Sequence, residues 1–340
     1  MKRPWWRYLL RWALRLAALW LVFLWITKSV IPAFGLVNTH RDMVLYYKAA
    51  RAVNAGEPLY TLRPNYGPDS KPFEYLYPPP FAAVIAPLGH LSWHQFAALW
   101  RTGLVLAFVG YALCLTALCG RRDVWTFIIW LAALRLCAGT FRAMALGQVD
   151  PFLWLLGALS VWGAAGIGRV GSGAALGAAS LVKIYGVWPL LTIGKGEGRA
   201  RIWSGAAVVL TLGLAWGAWR CGLDSYAQWA HAVLPIAGQG TFNTDNYSFS
   251  MGVLRAARWL GWDYAGGPLT GVPKLWLSFA AVAGPLGALL LSRRLNVRWR
   301  VALVSCVAAW CAPLCWSTYL PLGLLLVALA WAQWWPDDWP

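Results

Sequence analysis

The stretch WALRLAALWLVFLWITKSVIPA (residues 12–33) decides the class of fold, because it is apolar over the length that a helix needs to cross a bilayer. Similar apolar runs follow along the chain, separated mostly by glycine, proline or charged residues. The candidate spans are residues 12–33, 98–119, 124–141, 148–166, 202–219, 273–292, 299–316 and 317–335. Together they predict an all-α polytopic integral membrane protein with about eight spans.

The composition of the whole chain agrees with this prediction. Of its 340 residues, 60% are hydrophobic and only 12% are charged, whereas a soluble domain carries about 25% charged residues. The 26 tryptophans suit a chain with many water–lipid boundaries, where the indole ring keeps one end wet. Because no linker or composition shift divides the chain, residues 1–340 are interpreted as a single integral membrane domain.

The positive charge is distributed in a way that indicates topology rather than nucleic-acid binding. The net charge is +17, but the basic residues cluster at the N-terminus and in the connections at 121–122, 199–201 and 293–300. This is the positive-inside pattern of a multi-pass protein of the plasma (inner) membrane. It predicts that both termini are cytoplasmic and that the long loops, about 34–97 and 220–272, are extracytoplasmic. Membrane lipids are expected partners, and nucleic acid is not.

The residues that commonly bind metals or cofactors show no suitable spacing. The seven cysteines contain no CxxC pair, and the four histidines match no metal-binding pattern. GIGRVG (166–171) spells GxGxxG, but it lies between apolar spans and no strand precedes it, so it lacks the context of a dinucleotide site. The sequence therefore predicts no metal and no cofactor.

One segment does not fit the span count. GSGAALGAASLVKIYGVWPLLTIGKG (171–196) is long enough to cross once, yet both of its flanks are basic. A single crossing would invert the topology of everything downstream. We therefore interpret it as a re-entrant helical hairpin that turns around Lys183–Gly186, since broken backbone is tolerated at membrane depth beside a cavity. One ordinary span is the alternative.

The first outer loop begins with a carboxylate followed by an amphipathic helix. In HRDMVLYYKAARAVNAGEPLY (40–60), Asp42 either caps that helix or acts as a base that faces an outer cavity. Further along, FEYLYPPPF (73–81) is a stiff aromatic connector, which either anchors the chain at the interface or forms a wall for a sugar or lipid chain. Residues 75–96 are interpreted as an interfacial helix.

Four polar residues lie near the boundaries of later spans. In LGQVDP (146–151), Gln148 and Asp150 lie at the outer mouth, and Asp150 is interpreted as a cap for the helix that Pro151 begins. Arg142 either reaches lipid phosphate or holds a substrate phosphate. Lys183 has no carboxylate near it in sequence, so it is interpreted as a cation without a fixed partner that suits an anionic ligand such as phosphate. A lysine reaching out to the interface is the alternative.

Six stretches, in this order, resemble a known family. They are RDMVLYYKAARAVNAGEPLY, FEYLYPPPFAAVIAPLGHL, ALGQVDPFLWLLGAL, LGAASLVKIYGVWPLL, DNYSFSMGVLRAARWLG and CAPLCWSTYLPLGLLL, from about residue 41 to 327. The set resembles glycosyltransferase family 87 of the GT-C superfamily, the polyprenol-phosphate-mannose-dependent α-mannosyltransferase-like membrane proteins.

The resemblance implies a membrane enzyme whose active site faces the extracytoplasmic side. Such an enzyme moves a sugar, here expected to be mannose, from a polyprenyl-phosphate donor to a lipid or glycan acceptor, with inversion. The resemblance places the general base at Asp42, the GQ element at Gln148 and the membrane lysine at Lys183. Lys183 and Arg142 are predicted to bind the donor phosphate. The predicted substrate-binding residues are Tyr46, Tyr75, Tyr77, Gln148, Asn246 and Trp316.

The sequence departs from the family pattern in two places. Asn246-Tyr247-Ser248 stands where an Asn-Gln-Ser-like element is expected, and Trp316-Ser317-Thr318 stands where a Trp-x-His pattern is expected. Two other classes therefore stay open. One is a transporter or flippase of a lipid-linked or anionic substrate, although no internal repeat is visible. The other is a catalytically inactive subunit that keeps the same scaffold.

Overall fold

The computed structural model describes residues 5–35, 41–61, 75–165, 168–193, 198–237, 246–261, 271–313, 315 and 317–334, which are almost entirely helices and their connections. The helices are α1 Trp5–Trp25, α2 Ile31–Gly35, α3 Arg41–Ala55, α4 Pro79–Ile85, α5 Trp93–Leu118, α6 Val124–Leu136, α7 Ala138–Leu146, α8 Asp150–Gly163, α9 Arg169–Val182, α10 Val187–Leu191, α11 Arg199–Cys221, α12 Asp224–Ala237, α13 Phe249–Trp259, α14 Gly271–Leu291, α15 Val297–Cys311 and α16 Leu324–Trp334. A π-helical turn joins α1 to α2, and a 3₁₀ segment, Ser317–Gly323, leads into α16.

The all-α polytopic prediction is confirmed. In the described part of the chain, five segments are long and apolar enough to cross a membrane, or six if α6 and α7, which meet at a bend, are counted as one span. The five are Tyr8–Val30, Trp93–Leu118, Arg199–Cys221, Gly271–Arg294 and Ser317–Trp334.

Besides the run at 124–141, which bends after Leu136, two predicted spans form helices shorter than their apolar runs. The run at 148–166 becomes α8, with 14 residues, and the run at 299–316 becomes α15, with 15 residues. Proline sets the boundary in both cases. Pro151 occupies the first turn of α8. Pro313 follows Ala312, which leaves the helical conformation at ψ 140°, as expected for a residue before proline.

Small residues bring α9 and α11 into close contact. A Cβ placed on Gly173 would lie within 1.8 Å of the carbonyl oxygen of Ile202, and one on Gly205 within 2.0 Å of that of Val170. Only glycine permits backbones to approach so closely, as is common where helices pack in membranes. This contact fixes α9, and Lys183 follows directly at its end.

The segment 171–196 is broken at Lys183, where the sequence predicts a turn. Lys183 is extended (φ −140°, ψ 125°), and a 3₁₀ turn, Ile184–Gly186, leads into α10. A Cβ on Gly186 would lie 2.8 Å from the backbone nitrogen of Ser180. In a continuous helix, residues six apart are separated by about 9 Å along the axis. The chain therefore folds back on the end of α9.

The helices of the first loop pack against the protein. α3 is the amphipathic helix predicted after Asp42, and one of its faces, which includes Met43, Tyr46 and Ala49, is fully buried. α4 packs on α11, where the Trp216 indole donates to the carbonyl oxygen of Ala83 at 3.1 Å. On α4 only Val84 is exposed, and Phe81, Ala82 and Ile85 are buried. These contacts hold α3, and with it Asp42, against the helical core.

Candidate functional site

Lys183 and Asp150 form an ion pair inside the protein. The Lys183 Nζ atom lies 2.5 Å from Asp150 Oδ1 and also donates to the Tyr319 hydroxyl at 2.7 Å. Asp150 is fully buried. The interpretation of Lys183 as a cation without a fixed partner is therefore wrong, because the break after α9 brings it against the first turn of α8, far away in sequence.

Asp150 does not cap α8. Val149 is at the cap position, and its side chain makes no capping hydrogen bond. The second carboxylate oxygen of Asp150, Oδ2, instead accepts a hydrogen bond from the Thr318 hydroxyl at 2.6 Å. The predicted capping role is thus wrong, and the carboxylate links Lys183 to the segment Ser317–Gly323.

Several distant residues hold Thr318 in place. The indole of Trp154 donates to the Thr318 carbonyl oxygen at 2.8 Å, and the Tyr111 hydroxyl donates to the Pro321 carbonyl oxygen at 2.6 Å. A Cβ placed on Gly139 would lie 2.0 Å from the Ser317 carbonyl oxygen, so α7 and this segment touch through their backbones. The 3₁₀ segment is therefore packed against α5, α7 and α8.

Asp42 lies in the first turn of α3, one residue after the start of the helix. Its carboxylate accepts a hydrogen bond from the side chain of Gln148 and feels the charges of Asp150, Lys183 and Arg142. Burial raises the pKa of Asp42 to about 6, although the Gln148 hydrogen bond and the two cations act against burial. Asp42 is thus a carboxylate whose pKa is close to neutral pH.

Gln148 presents an unused acceptor beside this carboxylate. Its side chain is only 8% exposed, and its Oε1 atom has no hydrogen-bond partner among the described residues. A buried acceptor without a partner is costly, so such an atom is suited to a hydroxyl group of a bound molecule. Asp42 and Gln148 together therefore offer a base and an adjacent hydroxyl acceptor.

A glycine turn places Gln148 against α3. Gly147 ends α7 with φ 68°, a conformation that favours glycine. A Cβ on Gly147 would also lie 2.7 Å from Met43 Cβ. The Trp100 indole donates to the Gly147 carbonyl oxygen at 2.8 Å. The glycine of the GQ element is therefore required by both conformation and space.

The predicted aromatic residues reach this region to different extents. The Tyr77 ring centroid lies 5.8 Å from Lys183 Nζ, and the Tyr77 hydroxyl shares a 2.8 Å hydrogen bond with that of Tyr46. Tyr75 packs behind Tyr77, with ring centroids 5.8 Å apart, and its buried hydroxyl has no partner among the described residues. Tyr77 thus adjoins the cation, while Tyr46 and Tyr75 support it.

The remaining predicted residues take different places. Asn246, expected to bind substrate, joins two backbone segments: its Nδ2 donates to the Pro313 carbonyl oxygen at 2.9 Å, and its Oδ1 accepts from the Cys315 and Ser248 amides at 3.0 and 3.1 Å. Arg142 lies partly buried on α7, within electrostatic range of Asp42. Trp316 lies outside the described residues.

The structure assembles one group of polar residues, which we call the polar cluster. Its members are Asp42, Gln148, Asp150, Lys183, Thr318 and Tyr319. The sequence singled out Asp42, Gln148 and Lys183 for this region but missed the partnership of Asp150, Thr318 and Tyr319. The sequence offered one hint of the role of Thr318, because this residue stands where a histidine is expected. It offered no hint for Tyr319.

Comparison with known proteins gives one match. A family model described as Glycosyltransferase family 87 matches residues 75–331, which include every member of the polar cluster except Asp42. No curated protein and no solved structure matches the chain.

Proposed function

The chain belongs to glycosyltransferase family 87. From this membership we propose that it transfers a sugar from a polyprenyl-phosphate donor to a lipid or glycan acceptor, and that the sugar is mannose. The membrane-spanning helices and the family membership make it a membrane glycosyltransferase. The observation that carries the finer proposal is the polar cluster, in which a carboxylate with a raised pKa lies within electrostatic range of an ammonium.

Asp42 is the general base in this proposal. It takes the proton from the acceptor hydroxyl, while the hydroxyl oxygen attacks the anomeric carbon of the sugar and inverts its configuration. A pKa of about 6 suits this step, because a base acts best when its pKa is near the working pH. Gln148 Oε1 accepts a hydrogen bond from a neighbouring hydroxyl of the sugar or the acceptor.

Lys183 stabilises the leaving group. When the bond between the anomeric carbon and the phosphate oxygen breaks, polyprenyl phosphate departs with the bonding electrons as an anion. An ammonium carries three N–H groups, and Asp150 and Tyr319 take two of them among the described residues. The third is available for the phosphate, with Arg142 as a second cation. Fixed cations of this kind stabilise developing charge without requiring a metal.

The proposal is tested by supplying donors to the purified protein in lipid nanodiscs. We expect radiolabel from polyprenyl-phosphate mannose to appear in an acceptor glycolipid or glycan extracted from the source membrane. Polyprenyl-phosphate glucose, which differs in the sugar, tests the preference for mannose. GDP-mannose, which differs in the carrier, tests the requirement for a lipid-linked donor. Movement of the donor across the bilayer without sugar transfer would instead indicate a flippase. No transfer from any lipid-linked sugar would contradict the proposal.

The site requires an extracytoplasmic orientation, which single cysteines can test. In a variant without native cysteines, Leu223→Cys, between α11 and α12, is expected to react with a membrane-impermeant maleimide added outside intact cells. Leu295→Cys, in the basic connection before α15, is expected to react only after the cells are opened. Both positions are exposed. The reverse pattern would place the polar cluster on the cytoplasmic side and contradict the proposed orientation.

A further inference from the structure

Asp150 uses both of its carboxylate oxygens to join three separate parts of the chain. It stands at the start of α8, its Oδ1 holds Lys183 at the break after α9, and its Oδ2 holds Thr318 in the segment before α16. Both oxygens are used, and the side chain is fully buried. The Asp150 side chain itself neither caps α8 nor faces solvent.

A purely structural role does not account well for this arrangement. A buried ion pair contributes little net stability compared with apolar residues of the same size, because removing both charges from water offsets their attraction. Thr318 also gives Asp150 an orientation that the ion pair alone would not fix. The geometry therefore points to the placement of Lys183 rather than to stabilisation of the fold.

We propose that Asp150 is a positioning residue: together with Thr318, it fixes the Lys183 ammonium so that the third N–H of Lys183 is directed to the donor phosphate and its charge lies at a set distance from Asp42. This inference rests on the proposed function. It assigns to Asp150 and Thr318 the placement of the cation in a chain that lacks a histidine at position 318.

The hydroxyl of Thr318 is tested with a pair of substitutions. Thr318→Val has nearly the same shape but no hydroxyl, and kcat is expected to fall about 10- to 100-fold, since a shift of about 1 Å in a reacting group can cost that much. Thr318→Ser keeps the hydroxyl and is expected to recover most of the rate. Thr116→Val is a matched control, because the hydroxyl of Thr116 is also buried but bonds only within α5. Equal rates for Thr318→Val and the wild type, or a Thr318→Ser rate as low as that of Thr318→Val, would overturn the proposal.

The charge of Asp150 is tested through the pH dependence of kcat/KM. The groups that act on Asp42 are the carboxylate of Asp150, the cations Lys183 and Arg142, and the amide of Gln148. The nearby hydroxyls of Tyr46 and Tyr77 are neutral over this range, because burial raises the pKa of both above the usual value for tyrosine.

Asp150→Asn removes a negative charge that raises the pKa of Asp42 and leaves Lys183 without its counter-ion. Loss of the Asp150 charge lowers the pKa of Asp42. The acid limb of the profile, expected near pH 6 in the wild type, should therefore move to lower pH. Asp224→Asn, which alters an exposed carboxylate at the start of α12, should not move it. A lower rate with an unmoved acid limb would show a merely structural role and overturn the proposal.

A substrate-free measurement separates this inference from the proposed function. Because the pKa of Asp42 is raised in the folded protein, its favourable contribution to stability is present below about pH 4 and is lost as the pH rises through about 6. The melting temperature of the wild type should therefore fall relative to that of Asp42→Asn across this window.

When Asp150→Asn is also present, the pH-dependent difference in melting temperature between proteins with and without Asp42→Asn should appear at lower pH. An unchanged window would contradict the inference. A shifted window in a protein without transferase activity would contradict the proposed function alone.

Discussion

Replacing Asp42 with asparagine is expected to lower the rate of sugar transfer by about 10²- to 10⁴-fold, the usual contribution of a general base. Asparagine has the same shape and still hydrogen-bonds with Gln148, but it cannot take the proton from the acceptor hydroxyl. Binding of the donor lipid should persist, because the phosphate is proposed to contact Lys183 rather than Asp42. Initial rates at saturating donor and acceptor, with donor binding measured separately, test this expectation.

The control for Asp42 lies on the same loop. Glu57 is an exposed carboxylate just beyond the end of α3, and Glu57→Gln should leave the rate unchanged. If Asp42 serves only as a negative charge near the start of α3, its replacement costs about 0.3–1 kcal/mol of stability and leaves turnover close to that of the wild type. Near wild-type turnover in Asp42→Asn would thus assign Asp42 to the helix and not to the chemistry.

Replacing Lys183 with methionine is expected to lower kcat/KM for the lipid donor by about 10²- to 10³-fold, comparable to the loss of one donor to a developing oxyanion. The single substitution also leaves Asp150 buried without its counter-ion, which typically destabilises a protein by about 3–5 kcal/mol. A low yield of Lys183→Met would therefore report a loss of stability and would say nothing about donor use.

A double substitution separates these two effects. Lys183→Met combined with Asp150→Asn removes both charges, so the protein should accumulate in the membrane and still fail to use the donor. Lys274→Met, an exposed lysine at the start of α14, is the matched control and should keep normal donor kinetics. If the double variant also keeps normal donor kinetics, Lys183 is not the ligand of the phosphate.

The long helices could be predicted because each is marked by a continuous apolar run in its own stretch of sequence. Long apolar runs indicate α1, α5, α11 and α14, and basic flanks on both sides of residues 171–196 indicated a broken helix there. The partnership of Asp150 carried no such signal. An Asp-Pro pair before an apolar run looks the same whether the carboxylate caps the helix or holds a lysine from another helix. Asp150 is separated from Lys183 by 33 residues and from Thr318 by 168, so only tertiary structure brings them together.

Asn246 has partners that the sequence did not indicate. As a polar residue in a predicted outer loop, it was predicted to bind substrate, and in the structure its amide also bonds to the backbone of Pro313, Cys315 and Ser248. No pattern in the sequence indicates that these two segments lie side by side. The position of Gln148 depends on a more local feature: its neighbour Gly147 adopts a positive φ at the end of α7, a conformation that favours glycine.

The shortness of α8 and α15 has a consequence for where water and lipid meet. A helix of 14 or 15 residues is about 21–23 Å long, against about 30 Å for the hydrocarbon core. Each therefore falls short by about 7–9 Å, and the polar cluster lies at the start of α8, where the segment after α15 also arrives. Because helices shorter than the hydrocarbon core are commonly accommodated by local thinning of the bilayer, we expect a thinner barrier at the polar cluster. A water-soluble acceptor could descend below the level of the surrounding headgroups there, and a donor whose long isoprenoid tail stays in the bilayer could present its phosphate without leaving the leaflet.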